Sequence, residues 1–243
     1  MEAQLNVKLL SHTPDPEKTV SAAAKLCYSK SSIEQIMSRE VTGSQDDFLS
    51  KLTDSGHLSP IEHASFSFAI EGISRACSHQ LVRHRLASYS QQSQRYVNQA
   101  NQFRYVIPSV IRGDDALRAC FEKAMEETRK SYVKLHEMLI QKGLSSEAAK
   151  EDARFVLPNA IETRIIMTMN ARELLHFFNQ RLCNRAQWEI RALALEMLKL
   201  VIPVAPILFR KAGPACLEGP CPEGTHSCGQ STEIRRFFKE VHH

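Results

Sequence analysis

The sequence predicts an α+β protein, with a mainly antiparallel sheet flanked by helices and long amphipathic helices in its second half. Three observations carry this expectation. Strand-like runs are few, and helical sequence separates them. The two clearest, Ala64–Ile70 and Thr163–Asn170, alternate apolar and polar residues, as strands with one buried face do. Asp114–Lys142 repeats apolar residues at steps of three, four or seven with charges between, the pattern of a long amphipathic helix.

Taken in order, Gln4 to Leu10 alternates loosely and reads as a first strand. Pro16 to Tyr28 reads as an alanine-rich helix with Pro16 near its start. Ser44 is the expected N-cap of a helix reaching about Ser55, with Asp46 and Asp47 in its first turn and Gly56 at its end. A polar loop, His57–His63, leads into the first clear strand, whose apolar face is Ala64, Phe66, Phe68 and Ile70. Ser74 to Arg83 is helical, so the basic stretch beyond it begins as a loop.

In the long helix the stripe is Leu117, Phe121, Met125, Tyr132, Leu135 and Leu139, and Gly143 ends it. Ser145 or Ser146 starts a shorter helix that reaches Leu157 and stops at Pro158. The second clear strand places Ile165, Met167 and Met169 on one face. Asn170 and Glu173 then have the spacing of a capping pair. A last long helix, Ala186–Val201, carries Ile190, Leu193, Ala194, Met197 and Val201 as its apolar stripe before Pro203. Residues 1–211 are expected to form one domain, and residues 212–243 a tail containing Cys, Gly and Pro.

Composition sets bounds. Apolar content of 43% and charged content of 24% are ordinary for a globular protein. A net charge of +4 is too small for nucleic-acid coating, although it allows local basic pockets for phosphorylated ligands. No apolar run reaches the roughly 18 residues of a membrane span, and the first residues lack the pattern of a signal peptide. The seven cysteines include Cys27, Cys77, Cys120 and Cys183 standing singly in helix-like sequence, which suits reduced thiols in a cytoplasm. Neither the dinucleotide nor the P-loop glycine pattern occurs, so a nucleotide would have to be held by arginines and side-chain donors.

Those donors concentrate in Arg83-His84-Arg85-Leu86-Ala87-Ser88-Tyr89-Ser90-Gln91-Gln92-Ser93-Gln94-Arg95-Tyr96. Arginine is a fixed fork of donors suited to phosphate oxygens, and hydroxyls and loop amides can complete a cradle. A solvated basic loop is the other reading of such a run. His57, Glu62 and His63 hint at a metal, but Pro60 interrupts any helix and the spacing does not fit the helical zinc motifs.

The order Arg83-His84-Arg85, seven residues, then Ser93, with Arg95-Tyr96 beyond, resembles the signature of the flavin-dependent thymidylate synthases. The resemblance continues through His57, Ser59, Glu62 and His63, through Ala153-Arg154-Phe155-Val156-Leu157-Pro158, through Asn170-Ala171-Arg172-Glu173-Leu174 and through Arg181 to Ala186-Gln187-Trp188. It covers roughly residues 20 to 205. It implies synthesis of dTMP from dUMP by reductive methylation, with methylenetetrahydrofolate as carbon donor, FAD as hydride carrier and NADPH as reductant. It also implies a homotetramer with sites between subunits, while the composition argues for a cytoplasmic protein with no nucleic-acid or membrane partner.

Residue by residue, the resemblance implies catalytic positions at Arg181, His57 and Ser93. Cofactor contacts would come from Ser59, Glu62, Arg83, His84, Arg85, Asn170, Arg172, His176 and Arg185. Substrate contacts would come from Gln80, Gln91, Gln92, Ser93, Arg95, Arg154 and Arg181. Ser90-Gln91 replaces an Asn-Glu found in many members, so Gln91 keeps hydrogen-bonding capacity and loses a charge. His176 and Arg185 also depart from residues found in some members, and Cys27 stands where some carry a serine on the flavin side.

Ser93 invites a nucleophile reading, but a serine needs an adjacent base and none is evident in sequence, so it is expected to bind substrate phosphate. In the flavin route a protein nucleophile is not required. In the tail, Cys216, Cys221 and Cys228 read either as zinc ligands or as free thiols in a turn-rich segment. Two rivals stay open. A nucleic-acid module on the basic run is disfavoured by an aromatic content of 7%. A flavin enzyme acting on another uridine nucleotide is poorly separated by sequence.

Overall fold

A computed structural model describes residues 1–38, 45–100 and 103–242. Ser44, the expected N-cap, lies outside the described residues, as does the side chain of Asp46.

In chain order the elements are β1 (Asn6–His12), α1 (Pro16–Leu26), α2 (Ile33–Ser38), α3 (Gln45–Asp54), β2 (Ser65–Ser74), α4 (Arg75–Leu81), β3 (Ala87–Gln91), α5 (Ser109–Arg112), α6 (Asp115–Gln141), α7 (Ser146–Ala153), β4 (Glu162–Asn170), α8 (Ala171–Arg181), α9 (Trp188–Val201), α10 (Pro206–Phe209) and α11 (Ser231–Val241). The strands form one antiparallel sheet in the order β1-β2-β4-β3, and the fold is α+β as expected.

The capping logic of the sequence operates throughout. Ser74 accepts from the Cys77 amide, Asp114 from Leu117 and Ser145 from Ala148, each satisfying an orphan N–H of a first turn. Asn170 accepts from the Glu173 amide at 2.9 Å. Gln187 caps α9 through the amides of Glu189 and Ile190.

The chain divides into two compact units. One comprises Met1–Asn6, Ile70–Arg83 and Tyr89–Ile166. Its apolar cluster gathers Phe103, Met125 and Ile161, with Tyr105, Phe121 and Leu157 packed against them. Only Met125 and Tyr132 of the α6 stripe are buried, while Leu117 is 48% exposed.

The other unit comprises Val7–Ala69, His84–Ser88 and Met167–His243. Phe66, Phe209, Phe178 and Phe177 run through its core as successive ring contacts of 5.3, 6.0 and 5.8 Å. All four are fully buried, and such aromatic pairs add to simple area burial.

Three expectations need correction. The first strand begins and ends two residues later than the loose alternation suggested. The stretch after Arg83 is not loop throughout, because Ala87–Gln91 forms β3. The tail is not only turn-rich: α11 packs Ile234 and Phe238, 5% and 4% exposed, against this unit. Among the described residues no helix is long and apolar enough to cross a membrane.

Candidate active site

The residues singled out by sequence fall into two constellations, one in each unit. The first holds Gln80, Arg83, Gln91, Gln92, Ser93, Arg95 and Arg154. Arg95 and Arg154 meet at Glu151 on α7. Arg95 Nη2 lies 3.0 Å from Glu151 Oε2, and Arg154 Nε donates to the Glu151 carbonyl at 3.2 Å. Beside them Lys150 Nζ donates to the Tyr96 carbonyl, and the Arg95 guanidinium sits 5.8 Å from the Tyr96 ring centre.

Arg75, at the start of α4, belongs to the same electropositive region. Burial, and then the charge of Arg154, lower its pKa below the ordinary guanidinium value. It remains a cation at any working pH.

The Gln91 amide donates to Ser78 Oγ at 3.1 Å and to Thr163 Oγ1 at 3.0 Å. Ser78 in turn donates to the Arg75 carbonyl, so its oxygen needs a donor. An amide supplies one and a carboxylate does not. Gln91 is therefore suited to this position as a donor in its own right. Ser93 Oγ accepts from the Arg95 amide at 3.2 Å, a turn contact rather than the bond to a base that an activated serine makes. Arg83 is exposed, Gln80 and Gln92 are half-buried, and the Gln92 amide donates to the Arg164 carbonyl.

The second constellation centres on His84, which is 5% exposed. Arg181 Nε, at the end of α8, donates to His84 Nε2 at 3.0 Å. His84 Nδ1 lies 3.2 Å from Glu173 Oε1 on the first turn of α8. An arginine nitrogen can only donate, so Nε2 carries the lone pair and Nδ1 carries the proton given to Glu173. The ring also packs edge-on to Phe177 at 4.9 Å and to His176 at 5.9 Å. Burial, and then the Arg181 charge, push the His84 pKa below the ordinary imidazole value, against the opposing pull of Glu173. The imidazole is neutral at pH 7.

Around this centre the other cofactor candidates are more open. Arg85, Arg172 and His176 are exposed, and Arg172 donates to Glu62. Asn170 is engaged as the cap of α8. Ser59 is exposed just before the Pro60–His63 turn. His57 stacks on Tyr28 at 6.0 Å, with the tyrosine hydroxyl 3.2 Å from Nδ1. Arg185 is paired with Glu223 of the tail at 2.7 Å. Cys27 is exposed at the end of α1.

A cavity of about 400 Å³ in this unit is lined by Arg181, Arg185, Cys183, Cys216, Cys221 and Glu223, among others. Burial pushes the Cys216 thiol up in pKa, which disfavours thiolate. Among the described residues no group of three or more His, Cys, Asp or Glu could hold a metal ion, so Cys216, Cys221 and Cys228 are not gathered as a zinc site in this arrangement.

Sequence reading missed Arg75, Glu151 and Glu173. No local spacing marks Glu151, because Arg154 reaches only its main-chain carbonyl and its carboxylate pairs with the distant Arg95. Glu173 was noticed only as a capping partner.

The fold and these constellations define an α+β protein that carries clustered arginine, amide and hydroxyl donors, a chemistry suited to anionic, hydrogen-bonding ligands. The family model described as thymidylate synthase complementing protein matches residues 8–207. A flavin-dependent thymidylate synthase of Geobacter sulfurreducens is 53% identical over 238 residues, covering 98% of this chain and 99% of that protein. One of Pyrococcus abyssi is 44% identical over 231 residues, covering 90% of each. The chain belongs to the thymidylate synthase complementing protein family, and it is an enzyme. Among solved structures, the UMP/dUMP methylase PolB of Streptomyces cacaoi, bound with 5-Br dUMP, shares its fold. The TM-score is 0.68 at 23% identity, covering 88% of this chain and 98% of that one.

Proposed function

We propose that this enzyme makes dTMP from dUMP by reductive methylation, with methylenetetrahydrofolate as carbon donor, FAD as hydride carrier and NADPH as reductant. The observation that carries the reading is the meeting of Arg95 and Arg154 at Glu151, in a chain matched by the family model over residues 8–207. A nucleoside monophosphate brings about two negative charges near pH 7. Arg95 and Arg154 receive its phosphate, and the hydroxyl of Ser93 completes the cradle. Gln80, Gln91 and Gln92 belong to the same substrate-binding set. Arg181 donates to the uracil base, where a guanidinium stabilises charge developing on a carbonyl oxygen.

The cofactor candidates fit a flavin dinucleotide in chemistry. Arg83, Arg85 and Arg172 are exposed forks for a pyrophosphate, and the α8 N-terminus beside Asn170 favours an anion or a carbonyl. FAD, when bound, supplies hydride transfer. Ser59, Glu62, His84, His176 and Arg185 complete the set proposed to hold it, and His57 is proposed to face the reacting groups. A hydride route needs no protein nucleophile, in keeping with the local turn contact of Ser93.

The working form is proposed to be a cytoplasmic homotetramer with sites between subunits. Light scattering that gave a monomer retaining flavin would contradict it.

The test is an absorption spectrum of the purified protein before and after adding dUMP, with UMP in parallel. Flavin bands near one per chain, perturbed by dUMP and not by UMP, are expected. A protein that stays colourless after incubation with FAD would overturn the reading.

A further inference from the structure

The buried acid Glu173 has no part in the ligand contacts proposed above. It is 6% exposed, and a carboxylate is seldom buried without a specific partner. Its position suits a hydrogen-bond acceptor. It sits in the first turn of α8, where the helix dipole favours an anion, and its own amide is taken by the Asn170 cap. Its side chain meets His84 Nδ1 at 3.2 Å, and the far nitrogen of that ring accepts from Arg181 Nε at 3.0 Å.

We infer that Glu173 is a positioning residue: through the tautomer of His84 it fixes the orientation of Arg181, the guanidinium that meets the uracil base. The inference rests on the proposed role of Arg181 in dTMP synthesis.

The chemistry of the three groups makes the arrangement directional. A neutral imidazole has one donor nitrogen and one acceptor nitrogen. Glu173, acceptor-only when ionised, requires the proton on Nδ1. Nε2 is thereby left as an acceptor, and an acceptor is what Arg181 Nε requires. If the proton moves to Nε2, two N–H groups face each other across 3.0 Å and Arg181 must rotate away. The Phe177 ring, edge-on at 4.9 Å, restrains the imidazole so that it cannot flip without repacking. Glu173 and Arg181 lie at opposite ends of one helix, so a rigid element fixes the distance that the histidine spans. Misplacing a group that touches substrate by about 1 Å can cost on the order of 100-fold in rate.

The experiment compares wild type with Glu173→Gln, Glu173→Asp and Glu173→Ala, alone and combined with Arg181→Ala, as flavin-loaded full-length protein. Nitrogen-15 spectra of labelled histidine report the His84 tautomer, and steady-state kinetics report kcat and KM for dUMP. Wild type is expected to show Nδ1–H with unprotonated Nε2. Glu173→Ala is expected to lose that pattern and to lower kcat, expressed per bound flavin, by about 10- to 100-fold. Glu173→Asp is expected to restore part of both. The double variant Glu173→Ala/Arg181→Ala is expected to be no slower than Arg181→Ala, as for two residues acting through one contact. A preserved kcat in Glu173→Ala, a wild-type tautomer with Nε2–H, or additive losses in the double variant would overturn the inference. The Glu173→Gln and Glu173→Asp spectra keep the test decisive if the alanine variant does not fold. Absence of dTMP formation by wild type would break the functional reading instead, and the tautomer signal would still decide whether Glu173 controls His84.

Discussion

Arg95 Nη2 is held 3.0 Å from Glu151 Oε2 in a pair that is 48% and 41% exposed. The carboxylate occupies the arginine proposed to receive the substrate phosphate, so the two anions compete for one cation. An exposed ion pair is worth about 0.2–1 kcal/mol. Glu151→Gln should therefore lower the KM for dUMP by a factor of about two to five, with the gain shrinking as salt rises. Steady-state kinetics at two ionic strengths check this. An increase in KM would show that Glu151 orients Arg95 more than it competes for it.

Gln91→Glu should destabilise the fold by roughly 1–2 kcal/mol, because the amide donates to both Ser78 and Thr163 and a carboxylate cannot. Urea unfolding measures the change. Combining it with Ser78→Ala, which removes one of the acceptors left facing the carboxylate, should recover part of the loss.

His84 makes stability and activity fall together on the acid side. Its pKa is lowered in the folded chain by burial first and Arg181 second, with Glu173 opposing and His176 adding a small push down. The unfolded chain takes up its proton near the ordinary value of about 6.5. Stability from this group is therefore complete above that pH and is lost as pH falls toward the lower folded pKa. Protonation also turns Nε2 into a donor facing Arg181. Thermal melts from pH 8 to 5 should show an acid-side decline that is smaller in His84→Gln. An unchanged decline would assign it to other groups.

Gly72 has φ +76°, and a Cβ there would fall 1.8 Å from the Gln4 carbonyl oxygen. Both the backbone strain and the clash with main chain are unavoidable for alanine. Gly72→Ala should cost at least about 2 kcal/mol, read as a drop in melting temperature. A neutral result would mean that the Gln4–Leu5 segment before β1 can move aside.

Where apolar period and capping chemistry agree, the elements were legible in the sequence. β2 buries Phe66, Phe68 and Ile70, and β4 buries Ile165, Met167 and Met169, as their alternation predicted. β3 escaped because Ala87–Gln91 is short and mostly polar, and its alternation of half-buried Ala87, Tyr89 and Gln91 with exposed Ser88 and Ser90 carries little apolar contrast. α11 escaped because the cysteines, glycines and prolines before it dominate the tail, although Ile234 and Phe238 stand at helical spacing.

The candidate site was legible as residue types in order, and much less so as contacts. Nothing local in the sequence links Glu173 to His84, which lie 89 residues apart, or Arg95 to Glu151. Pairing at that range is decided by how the elements pack. The apolar stripe of α6 marks the helix but not its burial, because Met125 and Tyr132 are buried while Leu117 is exposed.

The central claim is tested most directly by incubating the purified enzyme with FAD, NADPH, methylenetetrahydrofolate and dUMP and following dTMP by mass spectrometry, with Arg154→Ala and Arg181→Ala alongside. The account predicts dTMP formation that requires NADPH, methylenetetrahydrofolate and dUMP, requires added FAD only once the bound flavin has been stripped, and falls by at least about 100-fold in either variant. Flavin-loaded wild-type enzyme that leaves dUMP unchanged under these conditions would contradict it.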